Sequence, residues 1–149
     1  MKIGIDSDNV GMGLKRVLVE YLKAEGYDIT DLDMLGQKEV LYPEVAENLA
    51  VRVAKGEYDR GILVCGTGLG MAIAANKIKG VYAGTCHDVY SASRLRRSNN
   101  ANILTMGARV IGPELAKMVV DEYLRSEFEE EHSGQNVRSL RELEAETLK

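Results

Sequence analysis

A doubly wound α/β fold, with five parallel strands between two layers of helices, is what this sequence predicts. Three observations carry the expectation. Short apolar runs alternate with amphipathic stretches five times along the chain. Those amphipathic stretches are punctuated by glycine or proline, as at Gly26, Pro43, Gly56 and Pro113. One apolar run, Gly61-Ile62-Leu63-Val64, passes through Cys65 into the glycine loop GTGLG. At 149 residues the chain is expected to form one domain, 1–149, around one good core.

Taken in order, Lys2 to Asp6 reads as the first strand, and a helix from about Gly13 to Ala24 follows it. That helix sets Leu14, Val17, Leu18, Tyr21 and Leu22 on one face. Gly26 stops it, and Tyr27 to Leu32 gives the second strand. A polar connection reaches Tyr42-Pro43, and Pro43 suits the first turn of a helix carrying Val45, Ala46, Leu49, Ala50 and Val53. After the third strand and its loop, Met71 to Ala75 forms a short helix. Val81 to Cys86 is the fourth strand, and Asp88 can cap a helix through Arg97. Asn102 to Met106 is the fifth strand, and Pro113 opens a helix expected to bury Leu115, Met118, Val119 and Tyr123. From about 136 to 149 the tail carries Val137, Leu140, Leu143 and Leu148 in a charged background, an amphipathic helix in need of an apolar surface and expected to find it on a partner subunit. The whole is a Rossmann-like, three-layer α/β/α arrangement.

Composition narrows the partners. Hydrophobic residues make up 45% and charged residues 28%, which argues against disorder. A net charge of −4 offers no attraction to nucleic acid or anionic membrane, and the cluster Arg94, Arg96, Arg97 lies close to Asp88 with no basic arm. Cys65 and Cys86 have neither metal-ligand spacing nor enough partners for a disulfide framework. With no apolar segment behind MKIGID and no stretch of membrane-spanning length, the expected home is the cytoplasm.

In doubly wound folds ligands bind beyond the carboxyl ends of the strands. That edge should gather Asp6-Ser7-Asp8-Asn9, Cys65 to Gly70, Cys86-His87-Asp88 and Gly107-Ala108-Arg109. Cys65 is either a small buried hydrophobe or a base, and main-chain N–H groups around a thiol favour its thiolate form. The loop is GTGLG, not GxGxxG, and follows the third strand, which disfavours a dinucleotide; it also lacks the lysine and hydroxyl residue of a P-loop. Asp8 reads equally as a helix cap, and Arg109 as a salt-bridge partner or a phosphate clamp. His87 and His132, the two histidines, are far apart, and no metal site is expected.

The strings CGTGLGMAIAANK, YSASRLRRSNNANILTMGARVIG and ELAKMVVDEYL together resemble the ribose-5-phosphate isomerase B / galactose-6-phosphate isomerase family, over nearly the whole chain. The resemblance implies a cofactor-free, metal-free aldose–ketose isomerase of a small phosphorylated sugar, working through an enediolate. It also implies a homodimer or homotetramer with shared active sites. By the same resemblance Cys65 is the base, the amides from Gly66 through Gly68 to Gly70 form an anion hole, and Thr67 supports the substrate. Asn99 orients the substrate, Asp8 binds sugar hydroxyls and Tyr42 lines the pocket.

Three departures from ribose-phosphate members stand out. Asp8-Asn9 replaces Asp-His, Ser98-Asn99 replaces His-Asn at the ring-opening position, and the tail offers His132, Asn136 and Arg138 where two phosphate-binding arginines are usual. Ser98 therefore joins Cys65 and Thr67 in the expected catalytic group, and phosphate falls to some of Asn9, Arg109, His132 and Arg138. A four-carbon sugar phosphorylated on its terminal hydroxyl cannot close a furanose ring, so its isomerase needs no ring-opening histidine. The SNNANILTMGARVIG string and the tail HSGQNV also resemble the branch acting on erythrulose and erythrose phosphates. D-Erythrulose 4-phosphate / D-erythrose 4-phosphate is thus the expected pair. The alternatives are ribose 5-phosphate, with ring opening by His87, Thr67 or water, and one subunit of a galactose-6-phosphate isomerase.

Overall fold

The computed structural model describes residues 1–148. Five strands, β1 (Lys2–Ser7), β2 (Asp28–Asp31), β3 (Arg60–Cys65), β4 (Ala83–Thr85) and β5 (Ile103–Gly107), pair in parallel in the order β2-β1-β3-β5-β4. Between them run α1 (Met12–Ala24), α2 (Tyr42–Ala54), α3 (Leu69–Ala75), α4 (Val89–Arg97) and α5 (Pro113–Arg125), and α6 (Glu130–Thr147) ends the described chain.

Side chains alternate across a strand, so consecutive residues of β3 feed two different cores. Ile62 and Val64 join Ile3, Ile5, Leu104 and Met106 under α1, α4 and α5. Leu63 and Cys65 face the other way, with Val45, Leu49 and Val53 of α2 and Met71 of α3. Burying each such aliphatic side chain contributes about 1.5–3 kcal/mol before the cost of ordering the chain. Helices on both faces confirm the doubly wound arrangement. The chain leaves β1 for β2, then returns past β1 to β3, so the winding direction reverses between β1 and β3. Their carboxyl ends carry Asp8 and Cys65.

Several elements differ from the sequence expectation. In α5 the buried side is Ala116, Val119, Val120, Tyr123 and Leu124, and the helix packs beside α4 and α1; Leu115 and Met118 lie exposed. The fourth strand is Ala83–Thr85, shorter than 81–86; at its amino end Tyr82 N–H is taken by the Asn102 side chain at 2.9 Å. The terminal helix starts at Glu130, well before Asn136, and buries Ser133, Gly134 and Val137 against its own chain. Farther along, Glu144 accepts from Gly80 N–H (3.1 Å) and Tyr82 O–H (3.0 Å), while Leu140 and Leu143 stay exposed. Lys149, the last residue of the expected helix, lies outside the described residues.

Candidate active site

The loop after β3 is built around a sulfur. Gly68 N–H donates to Cys65 Sγ at 3.1 Å, within one tight turn. Gly68 has φ +82°, and a Cβ there would stand 2.8 Å from the Met106 backbone, so only glycine closes this turn. The Gly68 carbonyl is pinned by the Thr105 hydroxyl (2.8 Å) and the Thr85 hydroxyl (3.2 Å). On the other side Ala108 N–H donates to the Cys65 carbonyl (2.8 Å) and Arg109 N–H to the Gly66 carbonyl (3.0 Å). The β5 exit therefore fixes the β3 exit, and Cys65, 6% exposed, is a buried residue that lines the adjoining cleft.

Around that sulfur lies a cleft of about 310 Å³ lined by Asp8, Val10, Tyr42, Cys65, Gly66, Thr67, Gly70 and Arg109. Asp8 Oδ1 accepts from Gly11 N–H at 2.9 Å, which closes the β1–α1 turn and leaves its second oxygen for a ligand. A Cβ on Gly70 would meet the Tyr42 ring at 2.5 Å, so glycine is what lets the tyrosine wall off this end. Arg109 runs alongside Gly66, its Nη1 3.8 Å from where a Cβ would stand. Asn9 is exposed on the same turn as Asp8 but does not line the cleft. A larger hollow of about 550 Å³ over α2, lined by Met34, Lys38 and Arg52 among others, holds no cysteine and no glycine turn; chemistry outweighs size here.

Two supports stand outside the lining of the cleft, and of these only Lys15 was not legible as a site residue. Lys15, 2% exposed, pairs with Asp31 (2.9 Å), Asp6 (3.4 Å) and Asp33 (3.6 Å). Burial works against the lysine's charge, but the three carboxylates outweigh it and raise its pKa. Burial also raises the pKa of Asp6, against the opposing pull of Ser7 N–H, Met34 N–H and Lys15. The clue in the sequence was a lysine among the buried positions Leu14, Leu18 and Leu22 of α1, which demands anionic partners.

The second support is His87, whose Nε2 accepts from Gly107 N–H at 2.8 Å and so must be unprotonated. Burial lowers its pKa below the ordinary 6.5, with Asp88 opposing. A depressed folded value means that His87 contributes its full stability above pH 6.5 and loses it as pH falls from there through the folded value. Between about pH 7.5 and 5, Tm should fall more steeply for the wild type than for His87→Gln, which keeps an acceptor; parallel curves would contradict the assignment. Cys86, by contrast, is buried core: burial, then Asp88, pushes its thiol up to about 12.

The remaining expected residues are not in this cleft. Ser98 ends α4 and Asn99 follows it, before β5, so both lie at the amino edge of the sheet. The length of β5, on the order of 15 Å, separates them from Arg109. Ser98 Oγ accepts from Arg94 Nε at 2.8 Å, and Arg94 Nη1 pairs with Glu129 at 3.0 Å. His132 is exposed in the first turn of α6, and Arg138 is engaged with Glu130 at 2.6 Å. One chain thus carries two clusters at opposite edges: Cys65, Thr67, Asp8, Tyr42, Gly66, Gly68, Gly70 and Arg109 on one, Ser98, Asn99, His132 and Arg138 on the other. Among the described residues, no three His, Cys, Asp or Glu side chains gather as a metal site, and no helix is long and apolar enough to cross a membrane.

Comparison with known proteins decides the family. Residues 3–140 match the Ribose/Galactose Isomerase family. The chain belongs to that family. It is a sugar-phosphate isomerase, an aldose–ketose isomerase by class. Ribose-5-P isomerase B of Listeria innocua is 48% identical over 144 residues, 97% of each chain. D-erythrulose-4-phosphate isomerase of Pectobacterium atrosepticum is 45% identical over 142 residues, 94% of this chain and 93% of the other. The solved structure of Clostridium thermocellum ribose-5-phosphate isomerase B superposes with a TM-score of 0.93 at 44% identity, covering 98% of this isomerase and 99% of that chain.

Proposed function

We propose that this isomerase interconverts D-erythrulose 4-phosphate and D-erythrose 4-phosphate, with Cys65 as the base that carries one proton between C1 and C2. The observation that carries the base assignment is the Gly68 N–H on Cys65 Sγ at 3.1 Å, at the mouth of a cleft that also holds Asp8, Thr67 and Arg109. In the aldose-to-ketose direction the Cys65 thiolate removes the C2 proton, giving an enediolate; the hydroxyl proton passes from O2 to O1, and the Cys65 thiol, its proton partly exchanged with solvent, protonates C1. Charge gathers on the substrate oxygens during that step, and in this reading it is received by Thr67 and by the amides of the Gly66 to Gly70 loop other than those of Gly68 and Leu69, which are already bonded within the loop. Asp8 binds sugar hydroxyls and Tyr42 closes the far wall. The reaction is redox-neutral overall and the reading assigns no cofactor.

The second cluster belongs to a neighbouring copy. Ser98, Asn99, His132 and Arg138 cannot reach the Cys65 cleft of their own chain, whereas a twofold partner would bring one cluster of each kind together twice. Exposed Leu140 and Leu143 on α6, and Leu41, Leu69 and Ile73 around the cleft, provide apolar surface for such contact. Arg109, with His132, Arg138 and Asn9, would then share the phosphate. Two free cysteines, one of them the base, suit a reducing cytoplasm.

The tetrose preference rests on Ser98, a hydroxyl with no proton-shuttling nitrogen, and on the likeness to the Pectobacterium enzyme. Turnover of four-, five- and six-carbon aldose phosphates tests it. D-Erythrose 4-phosphate should exceed ribose 5-phosphate in kcat/KM by at least about 10²-fold, since only the pentose phosphate must open a ring. A faster pentose would leave ribose 5-phosphate isomerisation as the function.

A further inference from the structure

We infer that Arg94 is a positioning residue of the second cluster, holding the Ser98 hydroxyl as an outward hydrogen-bond donor and fastening it to the first turn of α6. The inference rests on the shared-site reading above and deepens it. Arg94 and Ser98 stand four residues apart at the end of α4, which puts their side chains on one face. Arg94 Nε donates to Ser98 Oγ at 2.8 Å, and its Nη1 donates to Glu129 Oε1 at 3.0 Å. Glu129 is tied at both ends. Its N–H donates to the Arg97 carbonyl (3.0 Å), and its own carbonyl accepts from the N–H groups of His132 (3.1 Å) and Ser133 (2.9 Å). One guanidinium therefore joins the segment bearing Ser98 and Asn99 to the segment bearing His132.

The neighbouring arginines do other work. Arg96 is buried and donates to the Ala101 carbonyl at 2.6 Å, and Arg97 donates to Ser93 at 2.9 Å. Neither touches α6 through its side chain among the described hydrogen bonds.

The chemistry of Ser98 follows from valence. A hydroxyl has one proton to give and lone pairs to accept with, while a guanidinium only gives. Ser98 must therefore accept from Arg94, and its own proton points elsewhere; no other described side chain or backbone group takes it. A hydroxyl that accepts from a cation is a stronger donor. Beside that cation it cannot be protonated in turn. Ser98 can hold a substrate oxygen but cannot take a proton from a ring hydroxyl, which selects substrates that arrive as open chains.

The test is a double-mutant cycle of Arg94→Met and Ser98→Ala, read in two ways: kcat and KM with D-erythrose 4-phosphate, and calorimetric binding of 4-phospho-D-erythronate, a non-isomerisable analogue of the aldose with a carboxylate in place of the aldehyde. Each single variant should raise KM and the analogue Kd by about tenfold, with kcat within about threefold and Tm unchanged. The double variant should be no worse than either single one, because both remove the same contact. Arg94→Lys should likewise keep Tm and still fail to recover affinity, since lysine can pair with Glu129 but lacks the second, rigidly placed donor. Wild-type affinity in Arg94→Met, additive losses in the double variant, or equal falls in kcat and Tm would each overturn the inference. The analogue arm reads Arg94 without turnover, so a wild-type enzyme that preferred the pentose would sink the tetrose reading and leave this result standing.

Discussion

Replacing Cys65 with alanine is expected to lower kcat/KM by about 10³- to 10⁴-fold, with analogue binding kept within a few fold. The separation is the point. The sulfur sits at the end of β3 and accepts a main-chain N–H from Gly68, but the loop itself is held by Thr85, Thr105, Ala108 and Arg109. Removing one side-chain atom therefore deletes the base and leaves the cleft. Serine in its place should be nearly as inactive, because a hydroxyl is far less acidic than a thiol and offers no appreciable anion at neutral pH. Loss of binding in step with loss of turnover would instead mark Cys65 as a packing residue.

Mixing two inactive variants should restore activity. Cys65→Ala disables the cleft at the carboxyl edge. Asn99→Asp combined with His132→Glu places two negative charges in the other cluster, where a phosphorylated substrate would be repelled; all of these substitutions but the cysteine lie on exposed positions. If each active site draws one cluster from each of two copies, subunit exchange at equal concentrations makes half the dimers hybrid. Each hybrid holds one intact site of two, so activity should return to about one quarter of wild type. Sites complete within one chain would leave the mixture inactive. The clusters' separation along β5 argues for the first outcome.

Much of this was legible in the chain itself. The run Gly61 to Cys65 announced a strand buried on both faces, and it became the centre of the sheet with one core on each side. Glycine spacing announced the turn at Gly68, and the structure supplies the reason, a left-handed φ and no room beside Met106. Helix starts at Pro113 and the Asp88 cap, which accepts from Ser91 N–H at 2.6 Å, followed from local chemistry. What local chemistry could not give was anything set by packing between distant segments. Leu115 and Met118 fit an apolar stripe, yet packing of α5 beside α4 and α1 buried Ala116 and Val120 next to it. Lys15 found its carboxylates on two strands and a turn. The surroundings of Ser98 were hidden because its partner, Arg94, acquires meaning only through Glu129, 35 positions farther along.

The most direct measurement of the central claim is carbon-bound hydrogen exchange in D₂O, followed by NMR on D-erythrose 4-phosphate incubated with the enzyme. With a thiol as the single base, the wild type should introduce solvent deuterium at C1 or C2 as isomerisation proceeds, and Cys65→Ala should introduce none while still binding 4-phospho-D-erythronate. Undiminished exchange by Cys65→Ala would show that another group moves the proton.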